Sequence, residues 1–210
     1  MLAITVPLSG CIALSIPDAG SIPPKTPAAP EPPAESPTEK PTPDAPALTS
    51  DSLTFAEGAQ IAPGTLTQWG DGLIADDGWT MTSPDDGAGS WGYTTTDGAC
   101  TADFWQGTVY DMEEPDDQAA SELVLASLLQ ADPADVAEHA DTGSFSFALS
   151  GRGNADQRFV AGEDGDRTWV IAARGFAQTQ SAVYVVIDCV DGQAESVAKD
   201  VWEKSAVVVG

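Results

Sequence analysis

From residue 78 to residue 109 large apolar side chains alternate with small or polar ones, and from residue 115 the apolar positions recur instead at spacings of three and four. A period of two sends successive side chains to opposite faces of a strand, whereas a three-and-four spacing draws one stripe along a helix. Residues 78–82 and 91–95 therefore predict a β-hairpin, because Ser83-Pro84-Asp85-Asp86-Gly87-Ala88-Gly89 between them is dense in turn formers. A third strand over about 100–109 carries Phe104 and Trp105. Upstream, residues 53–75 hold Leu, Phe, Ile and Trp but are broken by Gly58, Pro63, Gly64 and Gly70, which predicts an irregular lead-in with one short strand.

The clearest helix covers residues 115–130. Pro115 suits a first turn, Asp116 and Asp117 lie at the positive end of the dipole, and Ala120, Leu123, Val124, Leu128 and Ala131 share a face. Asp132-Pro133 ends it, and residues 134–139 add a short helical turn. Period two returns after Gly143 with Phe145 and Phe147, then at 158–161, 168–176 and 182–190, with Glu163-Asp164-Gly165-Asp166 as a hairpin turn. Residues 182–190 are nearly all apolar and predict a central strand buried on both faces. Residues 194–208 place Val197, Val201, Trp202 and Ala206 at helical spacing, with Lys199 and Lys204 opposite. Strands before and after each helix, without a βαβ repeat, give the expected class: α+β, a single antiparallel sheet covered by two main helices.

Composition divides the chain. Eleven of the sixteen prolines fall between Pro17 and Pro46, an interval with no aromatic residue, whereas all six Trp and all six Phe lie in residues 51–210. Proline fixes φ and removes an amide donor, so residues 11–50 are expected to be a disordered, extended Pro-rich tether that precedes a single domain at 51–210.

Leu8-Ser9-Gly10-Cys11, immediately before that stretch, resembles the lipobox of bacterial lipoproteins. The resemblance implies a diacylglyceryl thioether on Cys11, loss of everything upstream, and a domain held at the outer face of the cell membrane. Residues 1–10 contain no Lys or Arg and read as the remnant of a signal peptide whose basic start lies further upstream. With Cys11 assigned to lipid, Cys100 and Cys189 are left as an even pair in an exported chain, which predicts a disulfide between them. The order of elements in residues 51–210 is similar to the PsbP-like fold of small actinobacterial envelope lipoproteins, a scaffold used for binding and assembly. A fold of this kind does not by itself assign an activity.

Charge excludes several partners. The formal net charge is −25, and no Lys or Arg occurs between positions 41 and 151. A nucleic acid or an anionic lipid surface would be repelled. Arg152, Arg158, Arg167 and Arg174 are confined to one stretch, where they either form a small positive island or pair with local Asp and Glu; pairing is the commoner arrangement.

Apparent motifs lose their meaning in context. Gly87-Ala88-Gly89-Ser90-Trp91-Gly92 has the G-x-G-x-x-G spacing but falls in a predicted hairpin, where no helix N-terminus awaits a phosphate. His139 is the only histidine, no G-x-S-x-G elbow occurs, and too few His and Cys remain for a zinc site. Asp76-Asp77, Asp85-Asp86, Glu113-Glu114, Asp116-Asp117 and Glu163-Asp164-Gly165-Asp166 offer carboxylates, none at EF-hand spacing. At most an acidic turn holds a weak, adventitious Ca²⁺, and no cofactor is expected. Trp69, Trp79, Trp91 and Trp105 either line a sugar-binding groove or fill the core.

Two functions fit these residues. The first is a non-catalytic, lipid-anchored module that binds an envelope protein or glycan. The second is a tethered hydrolase acting on cell-wall or extracellular polymer through paired carboxylates, which needs a cleft that splits their environments. Two acids facing each other in a deep pocket would favour the second, and a shallow groove of Trp and Tyr without converging acids the first.

Overall fold

Cys100 and Cys189 stand directly opposite each other on neighbouring antiparallel strands, both buried, and form the disulfide that the cysteine count anticipates. The computed structural model describes residues 52–148, 153–190 and 192–210. The expectations placed on residues 1–10, on lipid at Cys11, on the linker 11–50 and on Arg152 lie outside the described residues.

The elements in chain order are β1 (Ser52–Leu53), α1 (Phe55–Gly58), β2 (Thr67–Gly70), β3 (Trp79–Ser83), β4 (Ser90–Thr95), β5 (Cys100–Thr108), α2 (Asp117–Leu129), α3 (Pro133–His139), β6 (Asp141–Phe147), β7 (Gly153–Asp164), β8 (Arg167–Phe176), β9 (Ser181–Val190), α4 (Ala194–Lys204) and β10 (Ala206–Val209). The strands form one sheet in the order β2-β10-β6-β7-β8-β9-β5-β4-β3, with β1 added to β7. Strand β2, first in that order, also reaches back to β5. The Trp69 backbone N–H donates to Gln106 Oε1 (2.7 Å) and its indole N–H to the Trp105 carbonyl (3.1 Å). The sheet therefore curls into a half-barrel.

Two features of the expected architecture are corrected. The sheet is mixed, not antiparallel, because β10 runs parallel to β6 and β1 parallel to β7. There are three substantial helices, not two. Helix α3 is more than a terminal turn: Asp132 caps it by accepting from the Ala134 N–H (2.9 Å), and Val136 is buried. The helix predicted to run to residue 208 stops at Lys204, and the β-branched Val207-Val208-Val209 turn into the strand that joins β2 to β6. The helical spacing through Ala206 is thus coincidental.

The concave face encloses the main core, where Trp69, Trp91, Tyr93, Phe104, Phe145 and Phe147 meet Trp202 and Val201 of α4. Across the sheet a smaller cluster lies beneath α2 and α3. Gly175 on β8 permits the close approach of α2, since a Cβ there would stand 2.5 Å from the Ala120 carbonyl carbon. Helix α2 thus sits over β8 and leaves β9 partly open. Strand β9 is central, as expected, but buried throughout on one face only: Val183, Val185, Ile187 and Cys189 are buried, while on the other face Ala182 is buried and Tyr184, Val186, Asp188 and Val190 are half-buried.

Three of the four arginines pair locally. Arg158 meets Glu122 (3.0 Å), Arg167 meets Asp188 (2.8 Å), and Arg174 meets Asp117 (2.7 Å). Arg174 is fully buried and donates to the Asp156 carbonyl (2.9 Å), the Thr54 carbonyl (3.1 Å) and, at 3.4 Å, the Leu53 carbonyl, while its guanidinium lies over the Phe55 and Phe176 rings. Burial raises the Asp117 carboxyl and lowers the Arg174 guanidinium from their ordinary values, and their mutual attraction opposes both shifts. This ion pair fastens the first described residues to the sheet.

Candidate functional site

Strand alternation sends Phe104 into the core and Trp105 to the opposite face. Tyr184 of β9 is the direct cross-strand partner of Trp105, and their rings stack with centroids 5.2 Å apart and planes 16° from parallel. Beside them Leu123 and Leu128 of α2 form one wall, and Val109 and Tyr110 another, around a shallow groove of about 550 Å³. Tyr110 is 85 % exposed. Burial holds the Tyr184 phenol above its ordinary pKa, so it stays a neutral hydrogen-bonding group.

The groove is held from behind and below. The indole of Trp105 lies across Gly107, where a Cβ would stand 2.7 Å from its Cζ2. The Trp105 carbonyl is held by the Trp69 indole, and the next residue by the Trp69 amide. Asp111 at the rim has φ 61°, and Gln180, whose carbonyl accepts from the Val109 N–H, has φ 50°. Left-handed backbone at non-glycine residues is uncommon and concentrates where surrounding structure imposes it.

Of the four tryptophans singled out in the sequence, Trp69, Trp79 and Trp91 are core residues, and Trp105 alone lines the groove. Sequence reasoning missed Tyr184, Tyr110, Leu123 and Leu128 as a set. Tyr184 carried a readable signal, since it is out of phase with Val183 and Val185 in an otherwise aliphatic strand.

Asp76, Asp85, Asp86, Asp116 and Asp117 are each taken up separately. Asp76 is held by Lys204 (2.6 Å), which, with the Gly78 N–H, keeps its pKa below the usual range. Asp85 and Asp86 accept from backbone N–H groups of their own turn, Asp116 caps α2, and Asp117 is consumed by Arg174. Asp103 lies on an exposed stretch of sheet; desolvation first and the neighbouring Asp188 second raise its pKa, but Asp188 already binds Arg167. Among the described residues no three His, Cys, Asp or Glu side chains come together as a metal site. His139 bonds through Nδ1 to the Asp135 carbonyl of its own helix (2.7 Å), and the Gly87–Gly92 motif falls at the β3–β4 turn, away from any helix start. No described helix is long and apolar enough to cross a membrane.

A second, larger cleft of about 730 Å³ runs between the β7–β8 hairpin and the start of α4, with Trp169 half-buried in its wall. It mixes Lys199 with Glu163 and Glu195, which leaves one net negative charge, and among the described residues it has no stacked ring pair. The aromatic groove is the better-built site. The sequence matches no protein-family model, and no curated protein is a detectable relative.

Proposed function

We propose that this protein is a lipid-anchored, extracytoplasmic module that binds a component of the cell envelope through the Trp105–Tyr184 groove, without catalysis. The observation that carries the reading is the groove itself: stacked aromatic rings in a shallow, half-open trough with no pair of acids directed into it. Aromatic side chains that remain partly exposed, at the cost of leaving apolar area unburied, are the usual substance of a recognition surface. The lipobox-like Leu8-Ser9-Gly10-Cys11 and the Pro-rich residues that follow support the anchored part of the proposal. The formal charge of −25 supports a partner that is neither nucleic acid nor anionic lipid.

The test uses the full chain in cells. Wild-type protein should take up a fatty-acid label that Cys11→Ser abolishes, and immobilised full chain should retain an envelope component that Trp105→Ala releases. Equal labelling of the two chains would remove the anchor. Equal retention, or none by wild type, would remove the groove as the binding site.

A further inference from the structure

The aromatic groove does not end at its rim. Thr108 lines both the groove and a neighbouring cleft of about 330 Å³, and Gly107, beneath the Trp105 indole, belongs to that cleft as well. The second cleft is built of neutral hydrogen-bonding groups: Thr65, Thr67, Gln106, Thr179 and Ser181. Resting on the groove as binding site, we propose that the ligand is a neutral glycan, with one sugar ring packed on Trp105 and the chain continuing around the end of β5 at Thr108, so that a further ring is hydrogen-bonded in the hydroxyl-lined cleft on the other face.

Three observations select this chemistry. The hydroxyls of Thr67, Ser181 and Thr179 form a chain, with 2.6 Å between the last two. A hydroxyl has one donor and two acceptor sites, so such a chain keeps lone pairs free for a ligand. Gln106 Oε1 accepts from the Trp69 N–H, which fixes the amide, and the Gln106 side chain lines the same cleft. A ligand rich in both donors and acceptors is matched by such a surface, and a purely apolar one would leave these groups unpaired.

Among the described residues no cation lines either part, and Asp111 is the only charged side chain there. On a chain of net charge −25 an anionic polymer or phosphate-bearing headgroup would therefore find repulsion and no counter-charge. An extended peptide is matched less well. Strands β5 and β9 are each paired on both sides, so the floor of the groove offers no free backbone edge for strand addition. Apolar ring faces beside neutral hydroxyl and amide groups suit a sugar, which has a C–H face and a hydroxyl rim.

The experiment titrates purified full chain with maltohexaose, cellohexaose and chitohexaose, following tryptophan fluorescence and heat of binding, with a neutral proline-rich peptide in parallel. At least one saccharide should bind saturably. Trp105→Ala should weaken it about tenfold through the lost ring contact, and Thr179→Val about threefold through one lost hydrogen bond. Thr179→Val also removes the bond to Ser181, so its melting temperature is measured alongside, and weaker binding by a variant that is folded at the assay temperature separates lost recognition from lost folding. If no saccharide binds, or binding ignores both substitutions, the glycan assignment is overturned. If the peptide alone binds and Trp105→Ala abolishes it, the groove stands as the binding site while the glycan does not.

Discussion

Phe104 and Trp105 are consecutive residues on one strand, each in a stack with another aromatic ring, and they have opposite fates. On the concave face Phe104 stacks with Trp91 at 5.5 Å and is 3 % exposed; on the convex face Trp105 stacks with Tyr184 at 5.2 Å and stays partly exposed. The concave face is closed by α4 and by the returning strand β2, whereas α2 and α3 cover the convex face over β8 and only flank β5. Similar ring pairs thus supply stability where a second layer covers them and a surface for recognition where it does not.

The comparison breaks first if the concave face turns out not to hold the fold. Reducing Cys100–Cys189, or replacing both by Ala, reopens a sequence separation of 89 residues, for which chain entropy gives a loss of about 4–5 kcal/mol. Denaturant melts of oxidised and reduced protein should show a drop of that order. A drop below about 1 kcal/mol would mean that packing alone secures this face.

The paired substitutions sharpen it next. Phe104→Ala empties a filled position and should cost about 3–5 kcal/mol. Trp105→Ala removes a partly exposed ring and should cost less, about 1–3 kcal/mol, while reducing ligand retention far more. Comparable melting shifts for the two variants would show that the convex stack is structural and would undercut the proposed site.

The smallest effect concerns Asp103, which shares the convex face with Trp105 by alternation. Desolvation and Asp188 raise its folded pKa, so the folded state holds the proton more tightly than the unfolded one. The resulting penalty is absent below the unfolded carboxylate pKa, grows as pH rises toward the folded value, and is complete above it. Asp103→Asn should therefore raise the melting temperature slightly at neutral pH and leave it unchanged well below the carboxylate range. A gain at both pH values would point to a cause other than charge.

Much of this molecule is legible from local pattern. The β3–β4 hairpin, the third strand through Phe104 and Trp105, the start and end of α2 to within two residues, and the β7–β8 turn at Glu163–Asp166 all lie where alternation, caps and turn formers place them. Such features depend on contacts within a few residues, so neighbouring side chains carry the information. The end of α4 shows where that fails: Ala206 continues the helical stripe of Val197, Val201 and Trp202 yet opens the strand Ala206–Val209, and only pairing with β2 and β6 decides between them.

The candidate site falls on the far side of the same divide. Its aromatic residues were visible singly, but Trp105 is indistinguishable in sequence from Trp69, Trp79 and Trp91, which became core. Residue periodicity by itself determined which side chains share a face, because the pleat of a strand and the pitch of a helix are properties of the backbone. Which face would be covered was decided only by the tertiary structure: by the long-range return of β2 onto β5, by the placing of α2 over Gly175, and by the bare strip left beside it.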